Sequence, residues 1–137
     1  MNNNELQWLA GIFEGEGSIK FHVSPQCSTF GQWEAELKMT DADVVRKFHA
    51  LVGIGNVRGP ITKQAPCQDG TPRKPCYVWR IGAQEDVLNF CALFAPHMGA
   101  RRCQRMMDCV ADLTACEWLD ANDPERHIAR ILKDACA

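Results

Sequence analysis

The sequence predicts an α+β domain, antiparallel strand pairs with helices packed on one face. Three observations predict it. Two pairs of short segments alternate apolar and polar residues with period two; helically spaced stretches lie before, between and after them; glycine and proline punctuate the junctions. The order is helix-strand-strand-helix-strand-strand-helix, followed by two further C-terminal helices. At 137 residues the chain fits one compact domain, residues 1–137, with a core over about 4–116 and a helical extension over 117–137.

The first helix is expected from Asn4 to Phe13, with one of the preceding asparagines as N-cap. Leu6, Leu9, Ala10 and Phe13 share one face of it, and Trp8, Gly11, Ile12 and Gly15 a second. A helix with two apolar or small faces packs against two things at once, one of them its own core. Gly17 ends it. Ser18 to Ser24 then alternates, with Ile19, Phe21 and Val23 inward and Lys20, His22 and Ser24 outward.

Pro25 to Gln32 reads as a loop, and Trp33 to Met39 as a second strand, its Trp33, Ala35, Leu37 and Met39 inward and Glu34, Glu36 and Lys38 outward. Thr40 with Asp43 resembles a capping box that opens a helix carrying Val44, Val45, Phe48, Leu51 and Val52, stopped by Gly53. Gly55 to Pro60 is a short strand around Val57. Thr62 to Pro75, rich in proline and carrying Lys63, Arg73 and Lys74, reads as a mobile basic loop. Cys76 to Ile81 is a fourth strand with Tyr77, Trp79 and Ile81 inward and Val78 and Arg80 outward. Helices follow from about Gln84 to Phe94 and from Ala100 to about Cys116, and Asn122-Asp123-Pro124 opens a last one.

Composition narrows the class. No run approaches the roughly 20 apolar residues of a membrane span, and the N-terminus Met1-Asn2-Asn3-Asn4-Glu5 lacks the basic region of a signal peptide, so a cytoplasmic or organellar protein without membrane contact is expected. Of the eight cysteines, Cys91, Cys103, Cys109 and Cys116 fall in helical stretches, where a free thiol acts as a small apolar group. Cys27, Cys67 and Cys76 lie in or beside loops without a CxxC pair, so reduced thiols are expected rather than a disulfide or zinc framework. The net charge is −2, whereas nucleic-acid binders are usually basic. The acid is unevenly placed: eleven Lys/Arg face ten Asp/Glu through Arg102, and four face seven beyond it. A basic face on this chain must therefore be local.

The segment Leu9-Ala10-Gly11-Ile12-Phe13-Glu14-Gly15-Glu16-Gly17-Ser18-Ile19 closely resembles the signature of the LAGLIDADG homing endonucleases. Further resemblances lie in Lys38-Met39-Thr40-Asp41, Val52-Gly53-Ile54-Gly55-Asn56-Val57, Tyr77-Val78-Trp79-Arg80-Ile81 and Pro96-His97-Met98-Gly99-Ala100-Arg101-Arg102, spanning about residues 5–113. The resemblance implies the αββαββα fold with a concave four-stranded DNA-binding sheet, and site-specific cleavage of double-stranded DNA at a long near-palindromic target. In such a protein Mg²⁺ serves, with Mn²⁺ or with Ca²⁺ in a non-cleaving state, and the gene sits in an intron or other mobile element.

Residue by residue, the resemblance makes Glu16 the essential metal ligand, helped by the Gly15 carbonyl, with Glu14 structural. Carboxylate oxygens suit a hard cation. Asp41 matches a water-positioning polar residue, although an acid there equally suits a helix N-terminus. Arg101 matches a basic residue near the scissile phosphate, with Arg102 its close rival. Only one signature copy is present, so the partner helix must come from a second chain, and a twofold homodimer is the simplest closed solution. Gly11 and Gly15, four apart, allow close helix approach; with Trp8 and Ile12 they form the expected interface.

Outward residues of the strands (Lys20, His22, Ser24, Lys38, Asn56, Arg58 and Arg80) are expected to contact DNA in the major groove, with Lys63, Arg73, Lys74 and Arg102 on phosphates. Glu34 and Glu36 on that face could accept from cytosine. The alternative is a non-cleaving relative, either a DNA-binding regulator or an RNA-binding splicing maturase, and a third reading is a pure interaction domain. Degenerate family members often lose the acidic pair, so Glu14 and Glu16 favour cleavage.

Overall fold

The computed structural model describes residues 1–23 and 32–122. Its elements are α1 (Asn3–Glu16), β1 (Gly17–His22), β2 (Gln32–Met39), α2 (Ala42–Val52), β3 (Asn56–Ile61), β4 (Cys76–Ile81), α3 (Gln84–Phe94), a 3₁₀ turn (Ala95–His97) and α4 (Ala100–Asn122). The strands hydrogen-bond in the order β1-β2-β4-β3. This is the expected α+β class and the expected order. The expected loop over 25–32 and the helix expected after Asn122 fall largely outside the described residues, as does Ser24. Two compact units divide the chain, Met1–Ser18 with Ala35–Ile81, and Ile19–Glu34 with Gly82–Ala137.

In the first unit, Asn2 and Glu5 form a reciprocal capping box at the start of α1, with Glu5 N–H donating to Asn2 Oδ1 at 2.8 Å and Asn2 N–H to Glu5 Oε2 at 2.9 Å. The helix runs three residues beyond the expected end at Phe13, because neither Glu14 nor Gly15 breaks it; Gly17 is the C-cap. Leu9, Ala10 and Phe13 are buried. Phe13 stacks on Phe48 of α2 at 6.3 Å and meets the edge of Trp79 on β4 at 6.5 Å, and Phe48 meets Trp79 at 4.8 Å. This aromatic triad is the centre of the unit's core.

Trp79 also donates its indole N–H to the Ile54 carbonyl at 2.9 Å. The turn that delivers Ile54 needs glycine: Gly53 and Gly55 have φ of 79° and 89°, and a Cβ on Gly55 would lie 2.7 Å from the Arg80 carbonyl oxygen. The capping box expected at Thr40–Asp43 does not form. Asp41 is the N-cap, one residue later, and its side chain makes no capping hydrogen bond.

Strand register fixes the two faces of the sheet in this unit. On β4, Trp79 pairs with Leu37 and Val57, Ile81 with Ala35, and Tyr77 with Met39, while Arg80 pairs with Glu36 and Asn56, and Val78 with Lys38 and Arg58. Directly opposed residues share a face, so the expected alternation of sides holds. Burial departs from it at two places. Val78 and Glu36, expected to face outward, are buried, because long polar neighbours cover them: Lys38 and Arg58 flank Val78, and Arg80 lies on Glu36.

In the second unit, α3 and α4 bury Val87, Phe90, Cys91, Phe94, Met106 and Cys109, with Phe90 stacked on Phe94 at 4.5 Å. Helix α4 continues six residues past the expected end at Cys116. Trp33 is held from several sides. Its indole N–H donates to Asp112 at 2.7 Å, its backbone N–H to the Gln84 side chain at 2.9 Å, and Arg105 stacks on its ring at 4.8 Å. Phe21 and Val23 were expected inward but are exposed. On the sheet-edge strand β1, Phe21 has one ring neighbour, Trp33 at 5.1 Å. The Cys91 thiol is pushed well above its ordinary range by its hydrogen bond to Cys109 and by burial. Among the described residues no helix is long and apolar enough to cross a membrane.

Candidate active site and nucleic-acid interface

The end of α1 and the end of β2 open onto the same cavity. Gly17 turns directly from helix into strand, and a Cβ there would run into the Phe13 ring, so only glycine lets the chain turn at this point. Glu16 is thereby left as the last helical residue, exposed, with exposed Glu14 and Gly15 before it. The cavity, about 580 Å³, is lined by Glu16, Lys38, Thr40, Asp41, Gln64, Arg73 and Lys74, among others. Two expected catalytic acids and three expected basic residues are therefore brought together in one chain.

The loop between β3 and β4 is tied down rather than loose. Gln64 donates its side-chain amide to the Ile61 carbonyl at 3.1 Å and to the Lys74 carbonyl at 3.0 Å, and the Cys76 thiol donates to its oxygen at 3.5 Å. Arg73 Nε donates to the Ala65 carbonyl at 2.8 Å. At the tip, the Cys67 N–H donates to the Thr71 carbonyl and the Gly70 N–H to the Cys67 carbonyl, both at 2.9 Å, and Asp69 accepts from the Thr71 N–H at 2.9 Å. Bonds from Thr71 hold the Asp69 carboxyl below its usual range. Composition marked this stretch as a loop; the Gln64 clamp joins segments ten residues apart, and no local signal announces it.

On the outer sheet face of the first unit, Lys38, Asn56, Arg58 and Arg80 are exposed as expected. Glu36 is engaged instead by Arg80, Nη2 to Oε2 at 2.8 Å. Lys63, Arg73 and Lys74 are also exposed. On α1, an added Cβ at Gly11 or Gly15 would meet nothing within 4 Å, and Ile12 is half-buried. Trp8 is covered in part by Lys47.

In the second unit, Lys20 and His22 are exposed on β1, and Arg101 (exposed) and Arg102 (half-buried) occupy the first turn of α4. Arginines there sit at the positive pole of the helix, where an anion is favoured and a cation is not. Among the described residues no group of three or more His, Cys, Asp or Glu side chains could hold a metal ion.

No family model and no curated protein matches the sequence. Solved structures do. The chain is similar to the homing endonuclease I-CvuI, solved with the I-CreI target in 2 mM Mg with the DNA not cleaved, at a TM-score of 0.64 and 15% identity over 98% of this chain and 82% of that one. It is similar to the homing endonuclease I-TnaI at a TM-score of 0.63 and 17% identity, over 94% of this chain and 84% of that one. The LAGLIDADG homing endonuclease I-GzeII, solved in complex with its DNA target, matches at a TM-score of 0.65 and 14% identity, over 98% of this chain but 44% of that one.

The chain has the homing-endonuclease fold. Within that fold Glu16 ends the signature helix, Asp41 follows β2, and Lys38, Asn56, Arg58 and Arg80 line one sheet face. Gln64 is the residue that sequence patterning passed over; Glu36 and Arg80 were both expected on the DNA-facing side, but their pairing was not. An amide in a proline-rich loop carries no signal of its own, and the partner of Glu36 lies 44 positions away.

Proposed function

We propose that this chain is a LAGLIDADG-type subunit that pairs with a second copy of itself and hydrolyses both strands of a double-stranded DNA site, using a divalent cation. The observation that carries this reading is the shared cavity of Glu16, Asp41, Lys38 and Lys74. Acids and bases in one cleft are the complement of a phosphodiester with a water to be activated.

The donor set fits a hard cation. The α1 C-terminus is the negative pole of that helix, its last turn holds no basic residue, and Glu14 and Glu16 are both exposed there. Glu16 and the Gly15 carbonyl would hold the ion, Mg²⁺ by preference or Mn²⁺, with Ca²⁺ supporting binding alone. Bound there, such an ion would supply Lewis-acid chemistry, making a water more acidic and offsetting phosphate charge. Asp41, on the same cavity, would orient a water and accept its proton. Lys38 and Lys74 offset charge on the phosphodiester, and Arg101 and Arg102 bind phosphate at the head of α4. Gly11, Ile12 and Gly15 form the pairing face, so each chain contributes one Glu16.

The open face of α1 supports the pairing: an added Cβ at Gly11 or Gly15 would meet nothing within 4 Å. Incubating the full chain with a randomised double-stranded DNA library and Mg²⁺, beside Glu16→Gln, tests the reading. Cleavage by the native chain, with Glu16→Gln retaining binding only, is expected. Binding without cleavage by the native chain would instead establish a non-cleaving regulator, and selective binding of structured RNA a maturase.

A further inference from the structure

Glu36, Arg80 and Asn56 form one polar row across three strands, because Arg80 is directly opposed to Glu36 on one side and to Asn56 on the other. The row lies on the face opposite the Trp79 core. Within it the pair is layered. The Glu36 side chain is 11% exposed and that of Arg80 44%, and they join Oε2 to Nη2 at 2.8 Å. The carboxylate is the floor and the guanidinium the surface.

This layering decides what Arg80 can do. A carboxylate 2.8 Å away neutralises the guanidinium charge, so Arg80 is a poor phosphate anchor, the role that needs net positive charge. Its planar, donor-only fork keeps its shape and is held in one orientation. In the major groove the base that offers two adjacent acceptors to such a fork is guanine, through N7 and O6; adenine offers one acceptor and one donor.

Resting on the DNA-binding reading above, we propose that Glu36 and Arg80 are a guanine-reading unit, Arg80 donating to O6 and N7 of one guanine in the target and Glu36 acting as its positioning residue. Glu36 therefore reads no cytosine itself.

The test is a binding selection by the full chain on randomised double-stranded DNA in Ca²⁺, for the native protein, Arg80→Gln and Glu36→Gln, with the salt dependence of binding measured for each. The native chain is expected to enrich sites with a guanine at one defined position. Arg80→Gln makes that position degenerate, a loss of about tenfold or more in preference, while the other positions persist and report an intact fold. Its salt slope stays at the native value. Glu36→Gln loosens the same position and steepens the salt slope, because the freed arginine charge now pairs with phosphate. An unchanged profile in Arg80→Gln, a loss spread over all positions, or a salt slope shallower by about one overturns the guanine assignment and leaves the DNA-binding reading standing. Failure of the native chain to enrich any DNA removes both.

Discussion

The Lys47 ammonium lies 4.2 Å from the centroid of the Trp8 ring, α2 reaching across to α1 of the same chain. One of the four residues expected on the pairing face is thus already covered in part, worth about 0.5–1 kcal/mol at a semi-exposed site. That leaves Gly11 and Gly15 as the open part of the expected face, where the chain itself offers no cover to a new Cβ.

Gly11 separates folding from pairing. Gly11→Ala removes a helix-interior glycine without any clash inside the chain, so the isolated subunit should gain about 0.5–1 kcal/mol. Gly11→Leu should fold equally well and lose self-association, seen as a shift to monomer in analytical ultracentrifugation. A Gly11→Leu protein that still sediments as a dimer places the interface elsewhere.

Asp41 separates catalysis from stability. A capping aspartate removed from a helix start typically costs about 1 kcal/mol, yet this one makes no capping hydrogen bond. Asp41→Ala should therefore change the urea midpoint little, by less than about 0.5 kcal/mol. Its single-turnover cleavage rate should fall about a hundredfold, the usual scale for a lost proton acceptor. A large loss of stability with an unaltered rate would make Asp41 a helix-start residue only.

Trp79 reports on the core. It is fully buried against Phe13 and Phe48, so Trp79→Ala should cost about 3–5 kcal/mol. Trp79→Phe keeps most of the apolar surface but leaves the Ile54 carbonyl without its donor, a cost of about 1–3 kcal/mol. Chemical denaturation of the two variants should give that order.

The cysteines make a kinetic prediction. Cys67 and Cys103 are partly accessible, whereas Cys76, Cys91 and Cys109 are buried and Cys91 is held protonated by Cys109. Among the described cysteines, iodoacetamide at pH 8 should label Cys67 and Cys103 before Cys76, Cys91 and Cys109, which should react only with unfolding, as peptide mass mapping would record.

Much of the frame was legible because it is periodic. The bounds of β4 match the sequence reading residue for residue and those of α3 match its approximate bounds, since Gly82 and Ala83 separate a period-two run from a helical one. Which side each residue of β4 takes was also legible. What was not legible depends on partners distant in the chain: the burial of Glu36 under Arg80, the shelter of Val78, and the Gln64 clamp. The shift of the helix start from Thr40 to Asp41 is of a different kind, two neighbouring polar residues both able to precede a helix, with the backbone choosing between them.

Because Gln64 closes its loop at the base, through the Ile61 and Lys74 carbonyls, the nine residues 65–73 behave as a cassette. Changes in their length or charge should therefore leave the register of the flanking strands intact. Since Cys67, Pro72 and Arg73 of this tip line the cavity of Glu16 and Asp41, exchanging one hairpin tip would reshape the wall of that cavity without moving the helix and strand ends that carry the acids.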